Sequence, residues 1–256
     1  MDKQLIYDVG MCDGSDTAHY LSKGFRVVSI EANPVLAERG KRLFNAAIKS
    51  GQLTILNIGI AERTGQMPFY VNERRAEWSS FVKEIGCRDG TPCHSITVNC
   101  NRMEDVLKEY GVPYYLKIDI EGHDHLCLLG ISPSDPPPYL SCEAVHPEWL
   151  DILKDKGYQK FKLINQADGF KAVDLSRERL AFRDTFLKVS NGIKKRWQKR
   201  FAVKYPYNSS GPFAEETDGE WKSHDEIRQL LIDFETGNHG GRINQVSWFD
   251  FHAWVG

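Results

Sequence analysis

The chain has 256 residues, 41% of them hydrophobic, with a net charge of −2 and an isoelectric point near 6.5. That length and apolar content suit one large α/β domain with a buried core, and the balanced charge excludes a global attraction to nucleic acid or an anionic membrane. No apolar run approaches the roughly 18 residues of a membrane span, Met1-Asp2-Lys3-Gln4 enters an apolar strand without a leader pattern, and six cysteines lie scattered, which predicts a soluble protein of a reducing cytoplasm with free thiols.

Leu5 to Val9 is a short apolar strand running into a glycine loop, and Thr17 to Lys23 reads as a helix stopped by Gly24. Phe25 to Ile30 is the second strand. Asn33 as N-cap and Pro34 at the first helical position open the next helix, with Leu36, Leu43, Phe44, Ala47 and Ile48 on one face. Leu53 to Asn57 is a third strand, and Met67 to Val71 and Ser95 to Asn99 follow as further strands in a more irregular stretch. Asn101 with Glu104 is a capping signature for a helix carrying Met103, Val106, Leu107 and Tyr110 and ended by Gly111. Tyr114 to Ile118 is a buried strand, Asp124 to Leu129 a helix, and Tyr139 to Cys142 a fifth parallel strand. Pro147 starts a helix with Trp149, Leu150 and Leu153, and Tyr158 to Ile164 is one more strand. The stretch 165–221 is charged, aromatic and without period. Ser223 and Glu226 then cap a helix carrying Ile227, Leu230, Leu231 and Phe234, with Gly237 after it, and Val246 to Val255 is an aromatic strand.

Repeated β-α-β units with short loops predict an α/β fold: a doubly wound, mostly parallel sheet with helices on both faces. One domain is expected over 1–256. Its core is 1–164, an insertion and possible substrate lid occupies 165–221 before the last strand, and a C-terminal helix and strand complete it over 222–256.

The first strand ends in Asp8-Val9-Gly10-Met11-Cys12-Asp13-Gly14. In a doubly wound sheet, ligands bind beyond the carboxyl ends of strands at the switch point, which the first strand borders. Glu31 follows the second strand about twenty residues on, where an acid can accept both ribose hydroxyls. Cys12 stands at the middle glycine position of a dinucleotide fingerprint, and Asp8 and Asp13 put negative charge where a pyrophosphate would lie. A sulfonium and an ammonium suit such a loop, so S-adenosylmethionine is the expected nucleoside.

Four segments resemble the FkbM-family methyltransferases: Tyr7-Asp8-Val9-Gly10 with Gly14; Ser29-Ile30-Glu31-Ala32-Asn33-Pro34; Leu116-Lys117-Ile118-Asp119-Ile120-Glu121-Gly122-His123-Asp124; and, more loosely, Asn57-Ile58-Gly59-Ile60 ahead of Gly65. The match spans roughly residues 5 to 145, and Trp248 to Ala253 also looks like the close of some members. The resemblance implies a Rossmann-like methyltransferase fold, S-adenosylmethionine as cofactor, and O-methylation of a sugar or natural-product hydroxyl. It implies that Asp8, Gly10, Gly14 and Glu31 hold methionine and ribose, with Ala32 in the same cofactor set, and that Asn57, Gly59 and Ile60 lie beside the adenine. Family members commonly carry Ala-Asn between the loop glycines, where this chain has Met11 and Cys12.

Methyl transfer is an in-line displacement in which alignment supplies much of the rate, and a hydroxyl acceptor gains from a base or a cation. Asp119, Glu121, His123 and Asp124 follow the fourth core strand, and Glu143 and His146 follow the fifth. Adjacent parallel strands would bring these clusters together. In one reading His123 or His146 is the base, while carboxylates such as Asp119, Glu121, Glu143 and Asp124 orient it or bind the acceptor. In the other, Asp119 and Glu143 with a third group bind Mg²⁺. Lys117 inside an apolar strand predicts a buried ion pair with one of these acids. Trp78 is a candidate acceptor contact. Alternation puts Trp248, Asp250, His252 and Trp254 on one face, so Asp250 and His252 are either sugar-binding groups or part of a half-buried edge strand.

Three other signals are set aside. Asp135-Pro136-Pro137-Pro138-Tyr139 resembles the box of methyltransferases acting on nucleic-acid bases, but it precedes the fifth strand instead of following the fourth. Cys87, Cys93, His94 and Cys100 lack the tight knuckle of a zinc site. The basic run Lys194 to Arg200 reads as a solvated helix face before it reads as a nucleic-acid or anionic-glycan contact. The expected partner is a small-molecule or glycan acceptor. N-methylation of an amine, or a non-catalytic nucleotide-binding module, is the alternative.

Overall fold

The computed structural model describes residues 2–166, 169–173, 205, 209–235 and 248–256. Strands β1 (Asp2–Val9), β2 (Arg26–Ile30) and β3 (Leu53–Leu56) alternate with helices α1 (Ser15–Ser22), α2 (Pro34–Leu43) and α3 (Asn45–Lys49). Next come β4 (Gly59–Ile60), β5 (Gly65–Asn72), α4 (Lys83–Gly86), β6 (Cys93–Asn101) and α5 (Met103–Tyr110). The core resumes with β7 (Pro113–Ile118), α6 (Asp124–Leu129), β8 (Tyr139–Glu143), α7 (Glu148–Asp155), β9 (Lys160–Asn165) and β10 (Lys171–Ala172), and closes with α8 (His224–Glu235) and β11 (Phe249–Trp254).

The main sheet has the order β10-β9-β11-β8-β7-β1-β2-β3. The chain winds outward from β1 through β2 to β3, then returns to β7 on the other side of β1, all in parallel. The reversal places the switch point between β1 and β7, where the helices connecting their carboxyl ends diverge and leave a crevice. β4, β5 and β6 form a separate three-stranded sheet in the order β4-β6-β5. This is the α/β, Rossmann-like architecture expected from the alternation.

One face of the main sheet packs Leu116, Ile118, Leu140, Cys142, Phe251 and Ala253 against Val106, Trp149, Leu150 and Ile227 of the helices. The other face packs Ile6, Val27, Tyr115 and Tyr139 against Tyr20 of α1 and Phe213. Phe213 is wedged among Tyr20, Tyr115 and Phe25 at ring-centre distances of 5.2, 4.9 and 5.7 Å, each pair worth about 0.5–1.5 kcal/mol beyond its buried area. The segment leading into α8 is thereby fixed onto α1. Ser223 and Glu226 form the expected reciprocal cap: the Ser223 amide donates to Glu226 Oε2 at 2.7 Å and the Glu226 amide to Ser223 Oγ at 3.4 Å. Asn33 Oδ1 accepts from the Val35 amide at 3.0 Å, as its position before Pro34 predicted.

Four local expectations are corrected. Asn101 is the last residue of β6, so Arg102 is the N-cap of α5 and no side chain caps it. Leu43 is exposed because the helix breaks at Phe44, dividing the expected apolar face between α2 and α3. The C-terminal strand is not an edge: β11 runs antiparallel between β8 and β9, with Asp250 opposite Glu143 and His252 between Ser141 and Lys162. Cys87 and Cys93 are joined in a disulfide, against the expectation of free thiols. The turn after α4 brings Cys87 back to the start of β6, and the same bond removes both from any zinc site; His94 instead faces Glu73 at 3.0 Å. Gly237 and the run Lys194 to Arg200 lie outside the described residues, as does most of the 165–221 stretch.

Candidate active site

At the end of β1 the chain must turn tightly against β7. A methyl built on Gly10 would lie 2.9 Å from the Asp119 carbonyl carbon and closer still to its oxygen, and the residue has φ +89°. Glycine is therefore required there by both sterics and backbone angle. The Gly10 and Met11 amides both donate to the Ile30 carbonyl at 3.0 Å, tying the loop to the end of β2. Met11 is buried beneath Gly40 of α2. Gly14 is the N-cap of α1, its Cα hydrogen side packed on the Phe44 ring.

Glu31 is held at the mouth of this loop. Its Oε2 accepts from the Cys12 amide and its Oε1 from the Asn33 amide, both at 2.8 Å. Burial pushes the carboxyl up to about 7, against the two amides that favour its charged form. Asn57 Nδ2 donates to the carbonyls of Glu31 and Ala32 at 2.8 and 3.2 Å, so it braces the chain after β2. Ala32 packs at the margin of the small sheet's core, Ile60 is buried, and Gly59 gives room to the Phe81 ring.

Asp8 was expected among the cofactor ligands, but it is 0% exposed. Its Oδ2 accepts from Thr17 Oγ1 at 2.6 Å and its Oδ1 from Lys117 Nζ at 3.2 Å. It supports the loop from beneath. The ion pair expected of Lys117 is present and wider than one partner: Nζ also reaches the Gly10 carbonyl at 3.0 Å and lies 3.7 Å from Asp16 and from Asp119. Asp16 in turn accepts from Ser209 Oγ at 2.6 Å, from the Ser210 amide at 2.9 Å and from Ser210 Oγ at 2.9 Å. One buried ammonium thus joins the cofactor loop, α1, the end of β7 and the chain entering from residue 209. Asp16 and its serines are separated by nearly two hundred residues, and no local pattern could have announced them.

On the other side of the switch point, carboxyls accumulate at the ends of β7, β8 and β11. The Asp119 side chain is 45% exposed. Glu121 Oε1 accepts from Arg88 Nη2 at 2.9 Å, and burial with Asp119 nearby pushes Glu121 up to about 7. Glu143 is pushed to about 9 by burial and then by Asp119, Glu121, Asp124 and Asp250, so it is protonated at neutral pH. Asp124 is fully buried and accepts from the Gly122 amide at 3.3 Å, its carboxyl raised to about 6 mainly by burial. Asp250, opposite Glu143, accepts from Gln166 Nε2 at 2.6 Å and is raised well above the usual range, again mainly by burial. His123 is half-buried, stacked on Phe81 at 5.0 Å, with Nδ1 3.4 Å from the Ile60 carbonyl; burial lowers its pKa, so the ring is neutral at pH 7.

The remaining candidates do not join this cluster. His146 is exposed, tilted on Trp149 and facing Glu148 at 3.4 Å, because the chain turns outward after β8 to start α7. His252 is 1% exposed inside the sheet, two residues deeper along β11 than Asp250, and burial holds its pKa near 3. Trp254 stacks on Tyr139 at the opposite end of the strand, so the four alternating residues do not form one open sugar-binding face. Trp78 sits on a short 3-10 turn between Arg75 and Arg88, whose guanidinium carbons lie 4.7 and 4.4 Å from its ring centre. Among the described residues no three His, Cys, Asp or Glu side chains gather as a metal site. Nor is any described helix long and apolar enough to cross a membrane. Arg88 was missed in the sequence; its only signal was its place between two cysteines.

Among solved structures, the chain resembles a methyltransferase FkbM from Methylobacillus flagellatus KT, with 19% identity and a TM-score of 0.42 over 63% of this chain and 40% of that one. It also resembles a putative sarcosine dimethylglycine methyltransferase from Galdieria sulphuraria, with 9% identity and a TM-score of 0.41 over 99% of this chain and 79% of that one. The chain therefore spans less than half the length of the first of these. No curated protein matches it. The methyltransferase FkbM domain matches residues 8–160, more than half of the chain, from the buried Asp8 beneath the glycine loop to the first residue of β9, and the protein belongs to the FkbM methyltransferase family.

Proposed function

We propose that the chain is an S-adenosylmethionine-dependent O-methyltransferase acting on a hydroxyl of a sugar, glycan or other natural product. The observation that carries the reading is Glu31: a carboxylate whose two oxygens are each anchored by one backbone amide, beside a glycine loop at the switch point of the sheet. Each oxygen keeps a lone pair for a ribose hydroxyl. The residues present fit the cofactor. The loop lets backbone approach closely at Gly10, and its surroundings are acidic, which disfavours a pyrophosphate and favours a cationic sulfonium and ammonium. Gly10, Gly14, Glu31 and Ala32 would hold methionine and ribose, and the Asn57–Ile60 turn would border the adenine. When bound, S-adenosylmethionine supplies a methyl group on a good leaving group.

The protein's own part is to exclude water, align the acceptor and take its proton. Glu121, with a pKa near 7, is matched to accept a hydroxyl proton at neutral pH. Glu143, protonated at that pH, can donate a hydrogen bond to an acceptor oxygen. Asp119 is steadied by Lys117 and open enough to meet the acceptor. The described residues 209–221 belong to the same domain as the cofactor loop; the contacts of Asp16 with Ser209 and Ser210 support this. A second reading, N-methylation of an amine, is favoured by the excess of carboxyls over cations around the crevice.

Turnover with methyl-labelled S-adenosylmethionine across a panel of sugars, glycolipids and amines tests the proposal. Label should pass to hydroxyls, and Glu121→Gln should slow it about 10²-fold while cofactor affinity stays the same. Transfer confined to amines, indifferent to Glu121→Gln, would replace the O-methylation reading.

A further inference from the structure

Glu121 has φ +51°, a left-handed conformation that a glutamate keeps only when its surroundings hold it there. The holding groups come from the segment between β5 and β6. Ser80 Oγ donates to the Glu121 carbonyl at 2.6 Å, Ile85 and Val82 pack against Gly122, and Arg88 Nη2 grips the Glu121 carboxylate at 2.9 Å. Arg88 is itself restrained. Its guanidinium lies over Trp78, and its carbonyl accepts from Thr91 Oγ1 at 2.7 Å. Asn72 Nδ2 ties the same loop to β5 through the Gly86 carbonyl at 2.9 Å and Thr91 Oγ1 at 2.6 Å. Immediately before Arg88 stands Cys87, bonded to Cys93 at the first residue of β6.

The geometry points to Arg88 as a positioning residue for Glu121, and to the Cys87–Cys93 bond as the covalent latch that keeps it in place, so that methyl transfer depends on the redox state of that bond. The inference rests on Glu121 meeting the acceptor. Glu121 is faced by Asp119 and Asp124 from its own loop, by Glu143 from β8 and by Arg88 from the segment between β5 and β6. Without the guanidinium, Asp119 and Asp124 repel the side chain from the place where an acceptor is bound. Arg88 therefore aims a carboxylate that would otherwise swing away.

Both cysteines are partly exposed and open to thiol exchange. A dithiol reductant attacks one sulfur as its thiolate, displaces the other as a leaving thiolate, and closes into its own disulfide. Two electrons and two protons end on Cys87 and Cys93, and the loop is then held to β6 by hydrogen bonds alone.

The test uses the full chain before and after dithiothreitol, with the thiols counted by alkylation and mass spectrometry. Reduction should lower kcat about tenfold while the Kd for S-adenosylmethionine stays within twofold, and Cys87→Ser with Cys93→Ser should reproduce the reduced enzyme. Arg88→Met should be as slow as the reduced enzyme and gain no further loss on reduction, whereas Arg88→Lys should retain most of the rate. Hydrogen exchange supplies a readout free of turnover: the Gly122 amide, which donates to Asp124, should exchange at least tenfold faster after reduction. Unchanged exchange and kcat with the bond demonstrably open would overturn the inference, as would a tenfold reduction effect surviving in Arg88→Met. If no form of the protein transfers methyl, the proposed function fails, and the exchange rates still decide whether the latch holds the loop.

Discussion

Replacing Gly10 by alanine should damage the protein in two separable ways, and Gly24→Ala provides the control. Both glycines have nearly the same left-handed backbone, φ +89° and +86°, but a methyl on Gly24 meets nothing within 4 Å. Gly24→Ala should therefore cost only the conformational penalty, about 1–2 kcal/mol. At Gly10 the methyl overlaps the backbone of Asp119, which the hydrogen bond from its amide to the Val9 carbonyl (2.9 Å) fixes in place. Relief requires the ends of β1 and β7 to part, a further cost of about 1–3 kcal/mol by analogy with overpacked cores. For a chain of this size each kcal/mol lowers Tm by about 2–4 °C. Gly10→Ala should thus melt roughly 4–20 °C below the parent in a thermal unfolding scan, and several degrees below Gly24→Ala. Its affinity for S-adenosylmethionine should also fall, while that of Gly24→Ala does not. Equal melting points and equal affinities for the two variants would refute the argument that the β1 and β7 ends meet at this carbonyl.

Three further outcomes follow from buried charge and backbone angle. Cys12 has φ +49° without the side chain that best tolerates it; Cys12→Asn should stabilise the protein by about 0.5–1 kcal/mol in denaturant titration, because asparagine populates that region more readily. Lys117→Met strands the fully buried Asp8 and should cost about 3–5 kcal/mol, with Asp8→Asn in the same chain recovering part of it. Folded-state pKa values of about 7 for Glu31 and Glu121 and about 9 for Glu143 exceed the ordinary carboxylate range. Their contribution to stability is full below that range and is lost as pH rises through those values, so the cofactor-free protein should melt higher at pH 6 than at pH 9.

What the sequence disclosed was local or strictly periodic. The order of strand, glycine loop, helix, strand and Glu31 lies within about 25 residues, so spacing alone places the acid at the crevice. Lys117 announced itself because an ammonium in a buried strand requires a carboxylate, although Asp8 and Asp16 were not singled out as its partners. The undisclosed parts are non-local. β11 pairs with strands a hundred residues upstream, and its alternation of polar and aromatic residues reads the same for a half-buried edge as for a central strand carrying His252 inside. Whether His146 points inward depends on the direction in which the chain leaves β8, which no pattern in 143–148 encodes. Cys87 and Cys93 pair because a turn returns the chain to β6, and Arg88 gains its role only through that turn.

Calorimetric titration of S-adenosylmethionine into the protein and into Glu31→Ala tests the central claim most directly. The account predicts one site on the parent chain, weakening about tenfold from pH 8 to pH 6 as the Glu31 carboxylate, with its pKa of about 7, takes up a proton. It also predicts a loss of at least tenfold in Glu31→Ala at pH 8. A parent chain that shows no heat of binding, or a Glu31→Ala protein that binds as tightly as the parent at both pH values, would contradict it.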